Sequence, residues 1–302
     1  MATLLAGLVT ALTGCSARVP GQSAASSQPP SPVAALPSPP AVTPAPLQSR
    51  AFELSGEFTQ GGWMTGTAPV GASAVLLDGQ MLALDESGRF FAAFDRDAAG
   101  AAMLRAEFPD GTAVGRSLTI APRAWQIERL SVPQRPAGVT SAEFQRIRVG
   151  ELAAIIAARA ILPQSGGWRQ RFVWPVRGRI SGRFGSQRIY RGVPGSYHSG
   201  TDIATGESGT PFAAPADGVV VLAAAGPYTL EGNLLIIDHG MGLTSAFLHC
   251  SQLLVRVGDP VRQGQIVGRI GMTGRATGPH LHWSLKWREA RLDPELFVGT
   301  MR

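Results

Sequence analysis

Lysine is almost missing from this 302-residue chain: Lys286 is the only one, so arginine carries nearly all of the positive charge. Lys and Arg together number 27 against 21 acidic residues, a formal net charge of +6. Such a surplus favours an anionic partner, whether cell wall, nucleic acid or membrane headgroups. No block of like charge occurs, and no basic stripe is interleaved with aromatics, which argues against nucleic acid. Long apolar runs are also lacking. The N-terminal one, residues 2–14, is too short to cross a hydrocarbon core of roughly 30 Å. Cysteine is limited to Cys15 and Cys250, and histidine is absent before His198. No repeat of 20–50 residues is visible. Hydrophobic residues nevertheless make up 44% of the chain. At least one proper core can therefore be buried, and the length suits about two domains.

The apolar run ends in Leu12-Thr13-Gly14-Cys15. A short run of this kind reads as the core of an export signal. The ending resembles a bacterial lipobox, in which the cysteine becomes lipidated and N-terminal, so residues 1–15 are expected to be a signal peptide. By that resemblance the protein is exported to the periplasm, with a lipidated Cys15 anchoring it to the outer membrane. Residues 16–49 are dominated by Pro, Ser and Ala. They favour extended polyproline conformations and cannot bury apolar surface, so they read as a disordered tether.

Residues 50–132 change character. Runs such as Ala74-Val75-Leu76-Leu77 and Phe90-Phe91-Ala92-Ala93-Phe94 alternate with turn signals at Asp78-Gly79, Ser87-Gly88 and Asp110-Gly111. This pattern predicts a small antiparallel β-sandwich, acting as a spacer or packing unit. Residues 138–165 read as a helical linker. Thr140 and Glu143 have capping-box spacing, and Phe144, Ile147, Leu152, Ile155 and Ile156 are predicted to form its apolar face between the two domains. From residue 170 to 302 the pattern is again strand-rich and glycine-rich, with no long helix expected. The fold class is therefore mostly β.

All five histidines, His198, His239, His249, His280 and His282, fall in that last third. His198-Ser-Gly-Thr-Asp202 spaces an imidazole and a carboxylate four positions apart. In His280-Leu281-His282 the two rings would share one face of a strand. Catalytic zinc sites commonly take three N or O ligands from the protein and leave one position open. One histidine from each motif plus Asp202 meets that need, leaving other histidines free to move protons. Each motif alone is weak, since H-x-x-x-D arises by chance and a lone H-x-H is more often structural.

Together, and with their flanks, they are specific. Residues 174–298 resemble the lysostaphin-type, LytM-like zinc metallopeptidases. The match rests on Trp174-Pro-Val-Arg-Gly-Arg-Ile-Ser-Gly-Arg-Phe-Gly185, on H-S-G-T-D, and on Ala214-Pro215-Ala216-Asp217-Gly218. It continues through Asp238-His239-Gly240 and Phe247-Leu248-His249 to Thr273-Gly-Arg-Ala-Thr-Gly-Pro-His-Leu-His282. The resemblance implies a β-rich, partly barrel-like antiparallel sheet with the metal in a groove. It implies one zinc ion per chain, held by His198, Asp202 and His282. It also implies two assisting catalytic histidines, His249 and His280, whose roles the sequence does not divide. His239 matches a turn position and reads as structural. Three positions depart from the usual pattern: Phe247 replaces Tyr, Cys250 replaces Leu, and Ser284 replaces Glu. Tyr190 and Tyr197, near the first motif, read as packing residues.

The function implied is metal-assisted hydrolysis of peptide cross-links in bacterial peptidoglycan. The rival reading is a non-enzymatic relative that binds the wall or activates other wall hydrolases. A complete ligand set with both assisting histidines favours the enzyme. A plain wall-binding module would leave the histidine arrangement without a purpose.

Overall fold

The computed structural model describes residues 50–132 and 142–301. The expected signal segment, the tether and Thr140 of the expected capping box lie outside the described residues.

Eight short strands come first: β1 (Glu53–Glu57), β2 (Trp63–Thr67), β3 (Ala74–Leu77), β4 (Gln80–Met81), β5 (Arg89–Ala93), β6 (Ala101–Glu107), β7 (Ala113–Thr119) and β8 (Ile127–Leu130). Two antiparallel sheets, ordered β1-β2-β5 and β4-β3-β6-β7, enclose a shared core. Strand β6 shows why these segments pair. Ala102, Leu104 and Ala106 are buried while Ala101, Met103 and Arg105 face water, the alternation of a half-covered strand. Asp78 and Gly79 adopt positive φ at the hairpin between β3 and β4, matching the turn read from the sequence.

The remainder comprises α1 (Ala142–Ala160), then β9 (Arg179–Gly182), β10 (Gln187–Tyr190), β11 (Val193–Pro194), β12 (Thr201–Ala204) and β13 (Pro211–Ala213). It continues with β14 (Gly218–Tyr228), β15 (Gly232–Asp238), β16 (Leu243–Cys250), β17 (Gln252–Leu253), β18 (Pro260–Val261), β19 (Ile266–Arg269), β20 (Leu281–Trp287) and β21 (Ala290–Leu292). The dominant feature is an antiparallel sheet ordered β18-β14-β15-β16-β20-β12-β9, with β21 beside β20. Its path runs from one edge to the other without closing, so the expected barrel-like character stops at an open sheet. Strand β8 pairs in parallel with β10 and so joins the first part of the chain to the segment just before His198.

The sheet has two covered faces, and the sequence writes them in period two. Leu235, Ile237, Phe247, Trp283 and Leu285 point into a core continuous with that of the N-terminal sandwich. There Phe91 meets the Trp287 ring edge-on at 6.2 Å, and Arg123 pairs with buried Asp293 at 2.7 Å. On the other face Leu234, Ile236 and Ala246 pack against Ile155 and Ala158 of α1.

The helix differs from its expected form in the face it buries. Ile147, Leu152 and Ile156 are exposed, whereas Glu151, Ile155 and Ala158 are buried. Its buried residues meet strands of the C-terminal sheet instead of bridging the two domains. The reason is polar. Arg148 makes a two-pronged ion pair with Glu231 at 2.6 and 2.7 Å, and Glu151 accepts the backbone N–H and hydroxyl of Thr229. Bidentate pairing fixes the rotation of the helix, and apolar periodicity alone could not see it.

Candidate metal centre

One cross-strand pair and one loop contact assemble the site. Asp202 on β12 sits directly opposite His282 on β20 in antiparallel register, which brings their side chains together. His198 precedes β12 by one turn of irregular chain and is tied down by its own backbone N–H donating to the Ser186 carbonyl at 2.8 Å. The result is three donor atoms converging on one point. His198 Nε2 lies 3.1 Å from Asp202 Oδ1 and 3.1 Å from His282 Nδ1, and His282 Nδ1 lies 2.9 Å from the same carboxylate oxygen. Among the described residues this is the group of His, Cys, Asp and Glu whose ligand atoms cluster tightly enough to hold a metal ion.

Two glycines clear the space. A Cβ on Gly182, opposite Asp202 on β9, would lie 2.5 Å from Asp202 Oδ2. One on Gly200 would lie 2.7 Å from His282 Nε2 and 2.5 Å from the Trp283 carbonyl. Both stand inside the motif strings, yet spacing alone assigns them no task. The signal is their position one strand or two residues from a residue of this cluster.

His280 and His249 complete the cluster. His280 Nε2 is 3.7 Å from Asp202 Oδ1, and its ring centroid is 4.9 Å from that of His249. Reaching this cluster requires β16 to break its alternation. Leu248 already faces the α1 side, so a regular strand would send His249 into the core. His249 instead takes φ of +63°, a left-handed conformation that non-glycine residues adopt at a cost. Cys250 then returns inward. It is fully buried, and burial pushes its thiol up to about 12, so it is a small core residue with no reactive thiolate.

The hydrogen bonds set the tautomers. His198 Nδ1–H donates to the Arg183 carbonyl at 3.1 Å, which leaves Nε2 with its lone pair aimed at Asp202 and His282. His249 Nδ1–H donates to the Thr273 carbonyl and His280 Nδ1–H to the Gly278 carbonyl, each at 2.8 Å. In the neutral form of either ring the free lone pair is therefore on Nε2. Such outer partners fix ring orientation in metal sites. Arg183, Thr273 and Gly278 act here through backbone oxygens, which no side-chain motif could reveal.

Electrostatics agree with the geometry. Burial alone would raise Asp202, but hydrogen bonds and charge from His198 and His282 hold it well below the usual carboxylate range. For His198 burial pulls downward, and Asp202 outweighs it, so the net shift is upward. His282 is more deeply buried, at 8% exposure, and burial outweighs the same carboxylate, so its net shift is downward. Burial also lowers His249, against the opposing Thr273 carbonyl. A divalent metal requires neutral imidazoles and an ionised carboxylate of its ligands, so an ion bound here would take the place of the proton that Asp202 favours on His198. The donor chemistry fits zinc, which takes N and O ligands at tetrahedral positions.

His239 lies apart from this group. It is fully buried in the turn after β15, its Nδ1–H donates to the Asp217 carbonyl (2.8 Å), its Nε2 accepts from the Ser245 hydroxyl (2.7 Å), and it packs edge-on to Phe172. Tyr197 packs edge-on against Phe184 and lies beneath Arg96 at 4.5 Å.

An antiparallel β-domain that brings two imidazoles and a carboxylate together beside two further imidazoles has the make-up of a metallopeptidase domain. The comparisons agree on the class: residues 196–294 match the family described as Peptidase family M23. A relative from Vibrio cholerae, the peptidoglycan DD-endopeptidase ShyA, is 42% identical over 120 residues, covering 38% of this chain and 26% of the relative. The lipoprotein NlpD/LppB homolog of Pseudomonas aeruginosa is 37% identical over 132 residues, covering 44% of this chain and 40% of the relative. The matched region is thus about a quarter of the length of the DD-endopeptidases it resembles. A crystal structure from Pseudomonas aeruginosa described as a peptidase M23 matches with a TM-score of 0.60 and 26% identity. It spans 82% of this chain and 96% of that one, so the likeness extends beyond the peptidase domain.

Proposed function

We propose that the chain is a zinc-dependent endopeptidase that hydrolyses peptide cross-links in bacterial peptidoglycan. The observation that carries this reading is the pairing of a three-donor cluster with two neighbouring imidazoles whose Nδ1 atoms are held by backbone carbonyls. His198, Asp202 and His282 would hold the ion, one per chain. Zinc supplies Lewis acidity at such a site, polarising a carbonyl and lowering the pKa of water to roughly 7.

The chain's own residues then handle protons. His249 is kept neutral by burial and has its Nδ1–H committed to Thr273, so its Nε2 can accept a proton near neutral pH. His280 is oriented in the same way, by Gly278. One of the pair takes the proton of the attacking water, and the other hydrogen-bonds the developing oxyanion or returns a proton to the leaving amine. The Pro-rich segment and lipobox-like Cys15 favour a protein tethered in the periplasm of a double-membrane cell. Its accessible substrate there is a thin wall cross-linked mostly by D-alanyl to diaminopimelate bonds, and D,D-cleavage is the expected activity. The similarity to DD-endopeptidases supports that choice of bond.

The test is digestion of purified sacculi with and without chelator, with products separated by mass. Release of monomers from D,D-linked dimers, abolished by chelator, is the expected result. Cuts confined to glycan, or to the bond joining stem peptide to sugar, would overturn the proposal. No release of any product would favour the rival, non-enzymatic role.

A further inference from the structure

Between α1 and the open face of the large sheet lies a cavity of about 200 Å³ that reaches His282 at the metal centre. Its floor is apolar, made by Leu234, Ile236 and Ala246, but its walls carry four cations: Arg148, Arg159, Lys286 and Arg291. Glu231 is the only carboxylate in the lining, and Arg148 already pairs with it. Lys286 is held at 2.9 Å by Glu289, which is itself fully out in solvent. Arg159 and Arg291 line the same space and repel one another; neither guanidinium forms an ion pair among the described residues, although Glu289 attracts both from a distance and Arg291 also lies over the Tyr197 ring at 5.4 Å.

Arg159 is the decisive group. It projects from the last turn of α1, and its Nε is buried with no hydrogen-bond partner. A buried guanidinium nitrogen without a partner is costly, and next to a second cation more so. The partial negative charge at the helix C-terminus offsets part of that cost but supplies no hydrogen-bond acceptor to Nε. The hydroxyls of Ser199 and Ser284 open onto the same cavity and add donors. A site with a planar five-donor fork, a second guanidinium and two hydroxyls is complementary to a carboxylate.

We propose that this cavity is a carboxylate-binding subsite of the peptidase groove, with Arg159 and Arg291 as specificity-determining residues. The inference rests on the peptidase reading, because the shared lining with His282 makes its occupant a free carboxylate of the peptide being cut. Two carboxylates of a wall stem peptide qualify: the C-terminal one of a D-alanyl end, and the one on the diaminopimelate side chain. Anchoring either would fix which way the peptide lies across the metal centre.

The experiment measures binding by the full chain of three tetrapeptide stems, which contain no cross-link to cut. One is unmodified, one is amidated at its C-terminus and one at the diaminopimelate side chain. Titration calorimetry should find the wild type binding the unmodified peptide about tenfold more tightly than one of the two amides, the loss expected for one charged hydrogen-bonded contact. The weaker amide identifies the source. Arg159→Gln should bind all three alike, and Arg291→Gln provides the same readout if the first variant does not fold. Equal wild-type affinity for all three peptides, or discrimination that survives in both variants, would overturn the subsite. Cleavage of sacculi by a wild type that does not discriminate would leave the peptidase standing and remove the subsite. Discrimination by a protein that cleaves nothing would do the reverse.

Discussion

Asp238 and His239 are neighbours in sequence, both have zero exposure, and they should pull stability in opposite directions as pH changes. Asp238 Oδ1 accepts the Gly240 N–H at 2.7 Å, while Oδ2 has no partner. Burial therefore pushes its carboxyl up from 3.8 to about 6. His239 is pushed down from 6.5 to about 4, again by burial, against the Asp217 carbonyl. A raised carboxyl binds its proton first in the folded state, so its linkage makes the fold more stable as pH falls from about 6 towards 4. A depressed imidazole is protonated first in the unfolded chain, so its contribution is complete above 6.5 and is lost as pH falls towards 4. Each shift is worth about 3 kcal/mol at roughly 1.4 kcal/mol per unit. Across the shared window the two nearly cancel.

Asp238→Asn should expose the imidazole's half of that balance. Asn keeps an oxygen for Gly240 and removes the charge, at the cost of an NH₂ without a partner. That cost is the same at every pH and drops out of the comparison. The stability of the variant relative to wild type should therefore fall by about 2.4 kcal/mol between pH 7 and pH 4, most of the full shift. Urea unfolding at four pH values over that range, on zinc-loaded protein, measures it directly. A difference between the two proteins that stays constant with pH would refute the argument, because Asp238 would then titrate as an ordinary carboxyl.

The remaining expectations concern the site and the N-terminus. His198→Ala and Asp202→Ala should each lose zinc and hydrolysis together, and metal analysis showing full occupancy in either would reject the ligand set. His249→Ala and His280→Ala should retain zinc while hydrolysis of sacculi falls by about 10²–10⁴; a folded but metal-free variant would move that histidine into the ligand set. Gly200→Ala, whose Cβ would crowd His282 Nε2 at 2.7 Å, should weaken zinc binding without a matching loss of secondary structure by circular dichroism. If its zinc affinity equals wild type, the close approach is not needed. Cys15→Ala should release the protein from the membrane fraction, and unchanged fractionation would sink the lipid anchor.

Much of the sheet could be read in the sequence because it is written in period two. Leu234–Asp238 and Leu243–His249 alternate between two buried faces, and the His239–Gly242 turn between them carries three positive-φ residues that punctuate it. What could not be read depends on charges meeting across long separations. The orientation of α1 follows Arg148 and Glu231, 83 residues apart, and the apolar pattern of the helix pointed to a different face. The five histidines grouped visibly, and so did the order of the motifs, but spacing could not say that His249 must break its strand to join them.

That break shows how the site is built. A regular strand would offer Leu248 and Cys250 to the groove and bury His249, or the reverse. The left-handed residue permits a third arrangement, with Leu248 on the helix side, His249 among the site imidazoles, and Cys250 in the core. Two further contacts hold it there: the His249 N–H donates to the Glu231 carbonyl, and the His249 ring donates to Thr273. Thr273 is in turn pinned through its hydroxyl, which accepts from Asn233 N and donates to the Cys250 carbonyl. Glu231 carries the Arg148 ion pair as well, so the residue whose backbone seats His249 is also the one whose side chain seats α1. The helix, the cationic cavity beneath it and the site imidazole therefore share one short hairpin, residues 228–232, in which Glu231 contacts α1 through its side chain and His249 through its carbonyl.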